Sequence, residues 1–392
     1  MNDVKAGVLA LIKSGLTGET VTLPSDFDWE EAVRIAVRHR VAVMLYYGIY
    51  NSGADAPAEI ADMLKVYTFK RIQQEMRQEY ETKKLFAQFD KNEIQYLPLK
   101  GAILKYLYPK PEMRYMGDVD LLIKPEQYDN IAEIVTNLDF EFVVESNHEL
   151  VWDKKGALHL ELHKLLIPSY NEDYFKYYKD GWRLAHQENG SWVMSDEDFL
   201  IYNFTHLAKH YRDSGIGIKH FTDIWVYRNA KPNLDENYVR AELSKLKLLD
   251  FYENVIRLLN AWFDGGDFDD ISEFMTEWIF DSGVYGNKRN RELSKNLKTE
   301  KKTESGRFIQ LRLYLNQIFM PYDKMITIFP ILEKMPFLLP VFWIIRIGRA
   351  VLFRRENIKA VNEGLRISTK ENIDDYQTAL NYVGLDFNFD EN

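Results

Sequence analysis

Two carboxylates stand one residue apart in the segment "GDVDLLI": Asp118 and Asp120, separated by Val119. In an extended strand, residues two apart share a face. These side chains therefore project together, while Val119 and Leu121 turn to the opposite, core-facing side. At about 4 Å two like charges repel by roughly 1 kcal/mol in water and about 4 kcal/mol at an effective dielectric of 20. Such repulsion either pushes one pKa upward or is cancelled by a cation. A divalent ion such as Mg2+ or Mn2+ suits that task, because it takes one or two carboxylates and fills its other positions with substrate phosphate oxygens. The plainer alternative is a pair of aspartates at a solvated strand end.

A third acid strengthens the ion reading. In "ALHLELHKLL", Leu158, Leu160 and Leu162 alternate with His159, Glu161 and His163, a period of two that places Glu161 between two imidazoles on one strand face. On a neighbouring strand Glu161 would complete an oxygen cage; on an edge strand it would simply face water. Upstream, "LPLKG" sets Lys100 and Gly101 between a short apolar run and a helical one. A glycine there lets backbone approach a ligand, a helix start offers free N–H groups to phosphate, and the lysine adds charge. Arg114, four residues before Asp118, is a further candidate for phosphate contact. His206 and His210 lie four apart on one helical face, and Asp223 follows His220 by three in "IKHFTDIW". These either line a ligand pocket beside the sheet or are hydrogen-bonded residues between helices.

The elements that must hold these groups fall into an α+β order. Residues 1–90 read as helical. The first stretch is a short amphipathic helix, followed by one in "SDFDWEEAVRIAVRHRVAVMLYYGIY" and a long one after Pro57. Between residues 91 and 194 the pattern turns mixed: strand "IQYLPL", short helix "GAILKYLY", strand "VDLLI", a helix opened by Pro125, then strands "EFVVES", "ELVWD" and "ALHLELHKLL". Residues 195–285 return to helices, opened by a Ser-x-x-Asp start at Ser195. Further helices are expected at 216–229, 235–247, 249–263 and 270–281. The polar, basic interval 282–306 reads as a boundary or loop. The region 286–392 as a whole reads as that basic loop, apolar stretches broken by proline, and an acidic tail.

Strand, glycine turn, helix, a strand carrying Asp-x-Asp and a later strand with one acid form an order that resembles the DNA polymerase beta type nucleotidyltransferase superfamily. Within it, "YLPLKGAILKYLYP", "RYMGDVDLLI" and "LELH" look like a bacterial branch, the uncharacterised nucleotidyltransferases. The resemblance is densest from Leu97 to His163 and extends more weakly from Trp29 to about Phe353. It implies a mixed-sheet nucleotidyltransferase core flanked by N-terminal and C-terminal helical regions. It also implies a triphosphate held at the Gly101 turn, two divalent ions on Asp118 and Asp120, and Glu161 as metal ligand and probable base. Two metals about 3.5 to 4 Å apart can stabilise both the attacking and the leaving oxygen of an in-line displacement. Where the superfamily has Gly followed by Gly or Ser, this chain has Lys100, Gly101 and Ala102, and the gap to Asp118 is longer.

Composition bounds the partners. With no cysteine among 392 residues, disulfides, zinc–thiolate sites and cysteine nucleophiles are excluded, so a metal needs oxygen or imidazole ligands. A net charge of −10 disfavours long nucleic acid, which leaves an NTP and a separate acceptor as expected partners. No secretory signal is recognisable at the N-terminus, and a cytoplasmic location is expected. The apolar segment 325–355 has its longest charge-free run over the eleven residues 335–345, short of the roughly 20 that span a bilayer. It packs within the protein or an oligomer, or lies peripherally on a membrane or hydrophobic partner. A non-catalytic nucleotide-binding scaffold is the competing class of function.

Overall fold

The computed structural model describes residues 1–188, 190–301, 319–320, 322–353 and 366–387. They divide into two compact units: residues 1–211, 215–286 and 383–392 form one, and residues 212–214 with 287–382 form the other.

The first unit is built on a mixed five-stranded sheet of order β1-β2-β5-β4-β3, comprising β1 (Tyr96–Pro98), β2 (Val119–Ile123), β3 (Glu141–Glu145), β4 (Glu149–Lys154) and β5 (Leu158–His163). Strands β2 and β5 pair in parallel at its centre, and every other pairing is antiparallel. Their alternation decides the layering. Val119, Leu121 and Ile123 of β2 and Leu158, Leu160 and Leu162 of β5 pack on Leu85 and Phe89 of the long helix α4 (Ala58–Lys91) and on Ile131 and Val135 of α6 (Tyr128–Asn137). The other face of the same strands is left to Asp120, Glu161 and His163. All five residues of β2 are buried, as expected for a strand covered on both faces, and so Asp120 is only 3% exposed. Edge strand β3 exposes Phe142, Val143 and Val144 between Glu141 and Glu145, charges of the kind that discourage edge-to-edge pairing.

Helices α1 (Asp3–Thr17), α2 (Trp29–Arg38) and α3 (Ala42–Ser52) precede α4. The expected single helix over residues 28–50 is in fact two. The chain breaks after Arg38, and Arg40 takes a left-handed φ of 60° before α3 begins. After β5 come α7 (Glu172–Tyr178) and a hairpin of β6 (Ala185–Glu188) and β7 (Ser191–Met194), neither of which the sequence pattern suggested. Then follow α8 (Asp196–Asp213), α9 (Ile218–Ala230), α10 (Glu236–Lys245), α11 (Leu249–Leu259) and α12 (Asp270–Ser282), near their expected positions.

In the second unit, helix Lys288–Lys301 occupies what reads in the sequence as a loop. Leu293 and Leu297, one turn apart, are buried there, as are Ile373, Tyr376 and Leu380 of the helix Lys370–Tyr382. Two apolar positions in a stretch crowded with Lys, Arg and Glu are too few to give a visible periodicity. Among the described residues no helix is long and apolar enough to cross a membrane. Phe337 and Ile344 of the apolar segment are nevertheless about three-quarters exposed, whereas Met325 and Leu332 are buried.

Candidate active site

The parallel register sets Asp120 directly opposite Glu161. On that face Asp120 Oδ1 accepts from Lys100 Nζ at 2.8 Å and from His163 Nε2 at 2.7 Å. Ligand atoms of Asp120, Glu161 and His163 all lie within 4.8 Å of one another, a spacing that one metal ion could bridge. The imidazole in this group replaces the purely acidic set expected from sequence. Asp118 stands just ahead of β2 and half-buried; it is not a member of the group, though its charge reaches Glu161.

The electrostatics are lopsided. Burial would raise Asp120, but Lys100 and then His163 outweigh it and hold its carboxyl well below the usual range. Lys100 is correspondingly held charged: burial opposes this, and Asp120 overcomes it. Glu161 is less well compensated: His159 and His163 each stand 3.7 Å from its carboxylate and Lys100 pulls on it more weakly than burial pushes. Burial first, then the negative charges of Asp120 and Asp118, push it up to about 8. The array thus carries more negative charge than Lys100 balances, and its hard oxygen donors with one imidazole fit a divalent cation.

A pH dependence follows. In the folded protein Glu161 keeps its proton to about pH 8, whereas an unfolded glutamate loses it near 4.5. The folded state binds more protons between those values. The contribution of Glu161 to the stability of the metal-free protein is therefore fully present below about pH 4.5 and is lost as pH rises to about 8. With the side chain still 23% exposed, the decline should be on the order of 2–4 kcal/mol after allowing for solvent screening. Urea unfolding between pH 5 and 8.5 in EDTA measures it, and Glu161→Gln should flatten the profile. Equal slopes for the two proteins would show that Glu161 titrates normally.

The Lys100–Gly101 turn is specified from two sides. Lys100 adopts φ 44° and ψ −116°, a region that costs a non-glycine residue about 1–3 kcal/mol and is tolerated where surrounding contacts determine it. Here the Asp120 ion pair is such a contact. A Cβ on Gly101, the first residue of α5 (Gly101–Leu104), would stand 2.3 Å from Arg114 Nη1 and 3.0 Å from Met116 Sδ. The glycine therefore makes room for a guanidinium.

That guanidinium is itself committed. Arg114 Nε donates to Asp223 Oδ1 at 3.1 Å and Nη2 to Oδ2 at 3.0 Å, and both residues are buried. Tyr108 Oη also donates to Asp223 Oδ1, at 2.7 Å. Arg114 and Asp223, read from sequence as ligand contacts on separate elements, thus form one buried bidentate pair. On α8, His206 and His210 pack ring to ring at 4.4 Å; burial, with Lys100 next, keeps His206 well below the usual histidine range, hence neutral.

Two residues at this face escape a sequence reading. Tyr202, one helical turn before His206, is fully buried, and its hydroxyl has no hydrogen-bond partner. Burial raises it to about 12, and the charges it senses are those of Lys100, Asp120 and Glu161. Its i,i+4 spacing from His206 was the available signal. Lys219, immediately before His220, is 8% exposed and lowered to about 7 by burial and Arg114.

A mixed sheet with facing acids on adjacent strands, a cationic strand-to-helix turn and a helical layer defines an α+β core whose Asp120, Glu161 and His163 could hold a metal ion. A family model described as "Uncharacterised nucleotidyltransferase" matches residues 25–264, more than half of the chain. The protein belongs to that family, a family of enzymes. No curated protein and no solved structure matches it.

Proposed function

We propose that the protein transfers a nucleoside monophosphate from an NTP to a hydroxyl or phosphate of an acceptor and releases pyrophosphate, in the manner of the DNA polymerase beta type superfamily that its motifs resemble. The observation that carries this reading is the register of Asp120 against Glu161 on parallel central strands, with His163 close enough to share an ion. Asp120, Glu161 and Asp118, aided by His163, would hold Mg2+ or Mn2+. When bound, the ion supplies charge stabilisation at the phosphoryl oxygens.

The chain's own residues do the rest. An acceptor oxygen bonds to the α-phosphorus, the bond from that phosphorus to the bridging oxygen breaks, and pyrophosphate leaves. The acceptor proton passes to Glu161, the acid facing Asp120 across the parallel strands, whose carboxyl burial, Asp120 and Asp118 make more basic than an ordinary glutamate before the ion binds. Lys100 and Gly101 form the turn beside the phosphates, with Arg114 and Asp223 bracing it from behind. His206 and His210, on the helix bearing Tyr202, line the nucleotide or acceptor side.

Thermal unfolding with Mg2+ or Mn2+ and each NTP tests the site. The wild type should be stabilised by nucleotide only when metal is present, by several degrees at ligand concentrations about 100-fold above Kd. Asp118→Asn with Asp120→Asn should remove that response. Identical responses of wild type and double variant would refute the metal site. Incubation with labelled NTPs and cell extract then distinguishes turnover from a nucleotide-binding scaffold: a labelled product is required.

A further inference from the structure

The two cations nearest the reacting carboxylates are already engaged, Lys100 with Asp120 and Arg114 with Asp223. A polyphosphate tail needs other partners. Three further cations converge on Tyr115, three residues before Asp118; of these, Arg40 also hydrogen-bonds Tyr285 and Tyr67. The Arg71 guanidinium lies 4.1 Å and the Arg40 guanidinium 4.6 Å from the centre of the Tyr115 ring. Lys219 Nζ reaches the Tyr115 carbonyl at 3.4 Å, a long contact that Arg114 Nη1 also makes.

None of the three has a carboxylate at ion-pair distance among the described residues. Arg71 is 5% exposed, donates through Nη1 to Gln74, and leaves its buried Nε without a partner. The nearby Glu75 is bound to Lys105 at 2.8 Å. Lys219 is buried; burial first and then the like charge of Arg114 disfavour its ammonium form, and the attraction of Asp223, Asp118 and Asp120 only partly offsets them. Burying cations without partners is costly, and an anion that binds them recovers that cost.

A buried histidine ties together the backbone that carries two of these groups. His39, buried between α2 and α9, accepts from the Ile218 N–H through Nδ1 at 3.2 Å and donates through Nε2 to the Phe280 carbonyl at 3.2 Å. That link joins the residue before Arg40 to the residue before Lys219, which holds the two cations on either side of one anchored junction. The helix break that the periodicity does not reveal, with Arg40 at a left-handed φ, is what turns Arg40 toward Tyr115.

We infer that Arg40, Arg71 and Lys219, arranged around Tyr115, form an anion subsite that takes the polyphosphate tail of the nucleoside triphosphate. This rests on the nucleotidyl-transfer reading above and gives it a site for the leaving pyrophosphate. Tyr115 precedes Asp118 by three residues and Asp120 by five, so one short segment carries both the ring that gathers the cations and the carboxylates that would hold a metal.

Calorimetric titration of tripolyphosphate into the full chain in EDTA isolates this subsite from the metal. The wild type should bind. Lys219→Met, which preserves volume and removes only a buried charge, and Arg40→Gln should each weaken binding roughly tenfold or more, the loss of one charge-assisted contact. Lys219→Arg and Arg40→Lys should stay within about threefold, because the charge is kept. A thermal melt identifies any variant that has lost the fold, and Lys219→Met decides if Arg40→Gln does not fold.

Wild-type affinity retained in a folded Lys219→Met, or no binding by the wild type, overturns the subsite. Metal-dependent NTP stabilisation that survives beside such a result leaves nucleotidyl transfer standing. Conversely, tripolyphosphate binding that depends on Lys219, in a protein that no NTP stabilises, upholds the subsite and rejects the transfer reading.

Discussion

Asp120→Asn should destabilise the protein by about 3–5 kcal/mol and reduce nucleotide transfer at least about a hundredfold. The stability effect arises from what the carboxylate neutralises. Lys100 Nζ and His163 Nε2 both donate to Asp120 Oδ1, and the Lys100 side chain is only 17% exposed while that of Asp120 is 5% exposed. An amide of the same shape keeps an acceptor oxygen but removes the charge, so a nearly buried ammonium at a strained turn is left uncompensated.

Lys100→Met paired with Asp120→Asn should recover much of the loss, since removing both partners avoids the orphaned charge. The coupling energy of that double-mutant cycle, measured by urea unfolding, is the quantity to compare. Additive effects would mean that the ion pair does not hold the turn. The same substitution should lower the pKa of Glu161 toward the ordinary range, because Asp120 is the largest charge raising it. The decline in stability between pH 5 and 8 should therefore shrink in Asp120→Asn.

The fold was legible where a single period governed an element. The alternation of Leu158, Leu160 and Leu162 with His159, Glu161 and His163 is the real geometry of β5, because one face of that strand meets the apolar core along its whole length. Strand β2, short and apolar around Asp120, was equally clear. Periodicity does not carry tertiary pairing. Arg114 and Asp223 each looked like a ligand contact, and their bond spans 109 positions of sequence. The cations around Tyr115 come from the α2–α3 junction, from α4 and from α9, and nothing local marks them as neighbours. The α2–α3 break was hidden for a related reason. Val41, Ala42 and Val43 continue an apolar helical pattern, while the kink depends on Arg40 adopting a conformation that its residue type disfavours. Glycine would have announced it.

Arg114→Met is the second large effect expected, again about 3–5 kcal/mol of destabilisation, for a reason that also separates structure from catalysis. Removing the guanidinium leaves Asp223 buried and 6% exposed, with the Tyr108 hydroxyl as its remaining hydrogen-bond donor among the described residues. It also removes the group that fills the space beside Gly101, where a gap would free the start of α5 and the Lys100 turn. Asp223→Leu added to Arg114→Met should restore most of the stability, as replacement of whole buried ion pairs by apolar residues often does.

Activity of that stable double variant is the informative reading. If Arg114 acts only by bracing the turn, the double variant regains turnover with an NTP KM close to wild type. If the guanidinium also touches the phosphate through Nη1, the double variant folds but keeps a raised KM, because neither new side chain donates a hydrogen bond. The geometry favours bracing: Nε and Nη2 are spent on Asp223, and Nη1 faces the Gly101 backbone and the Tyr115 carbonyl. A double variant that remains as unstable as Arg114→Met alone would show that the pair is not the source of the loss.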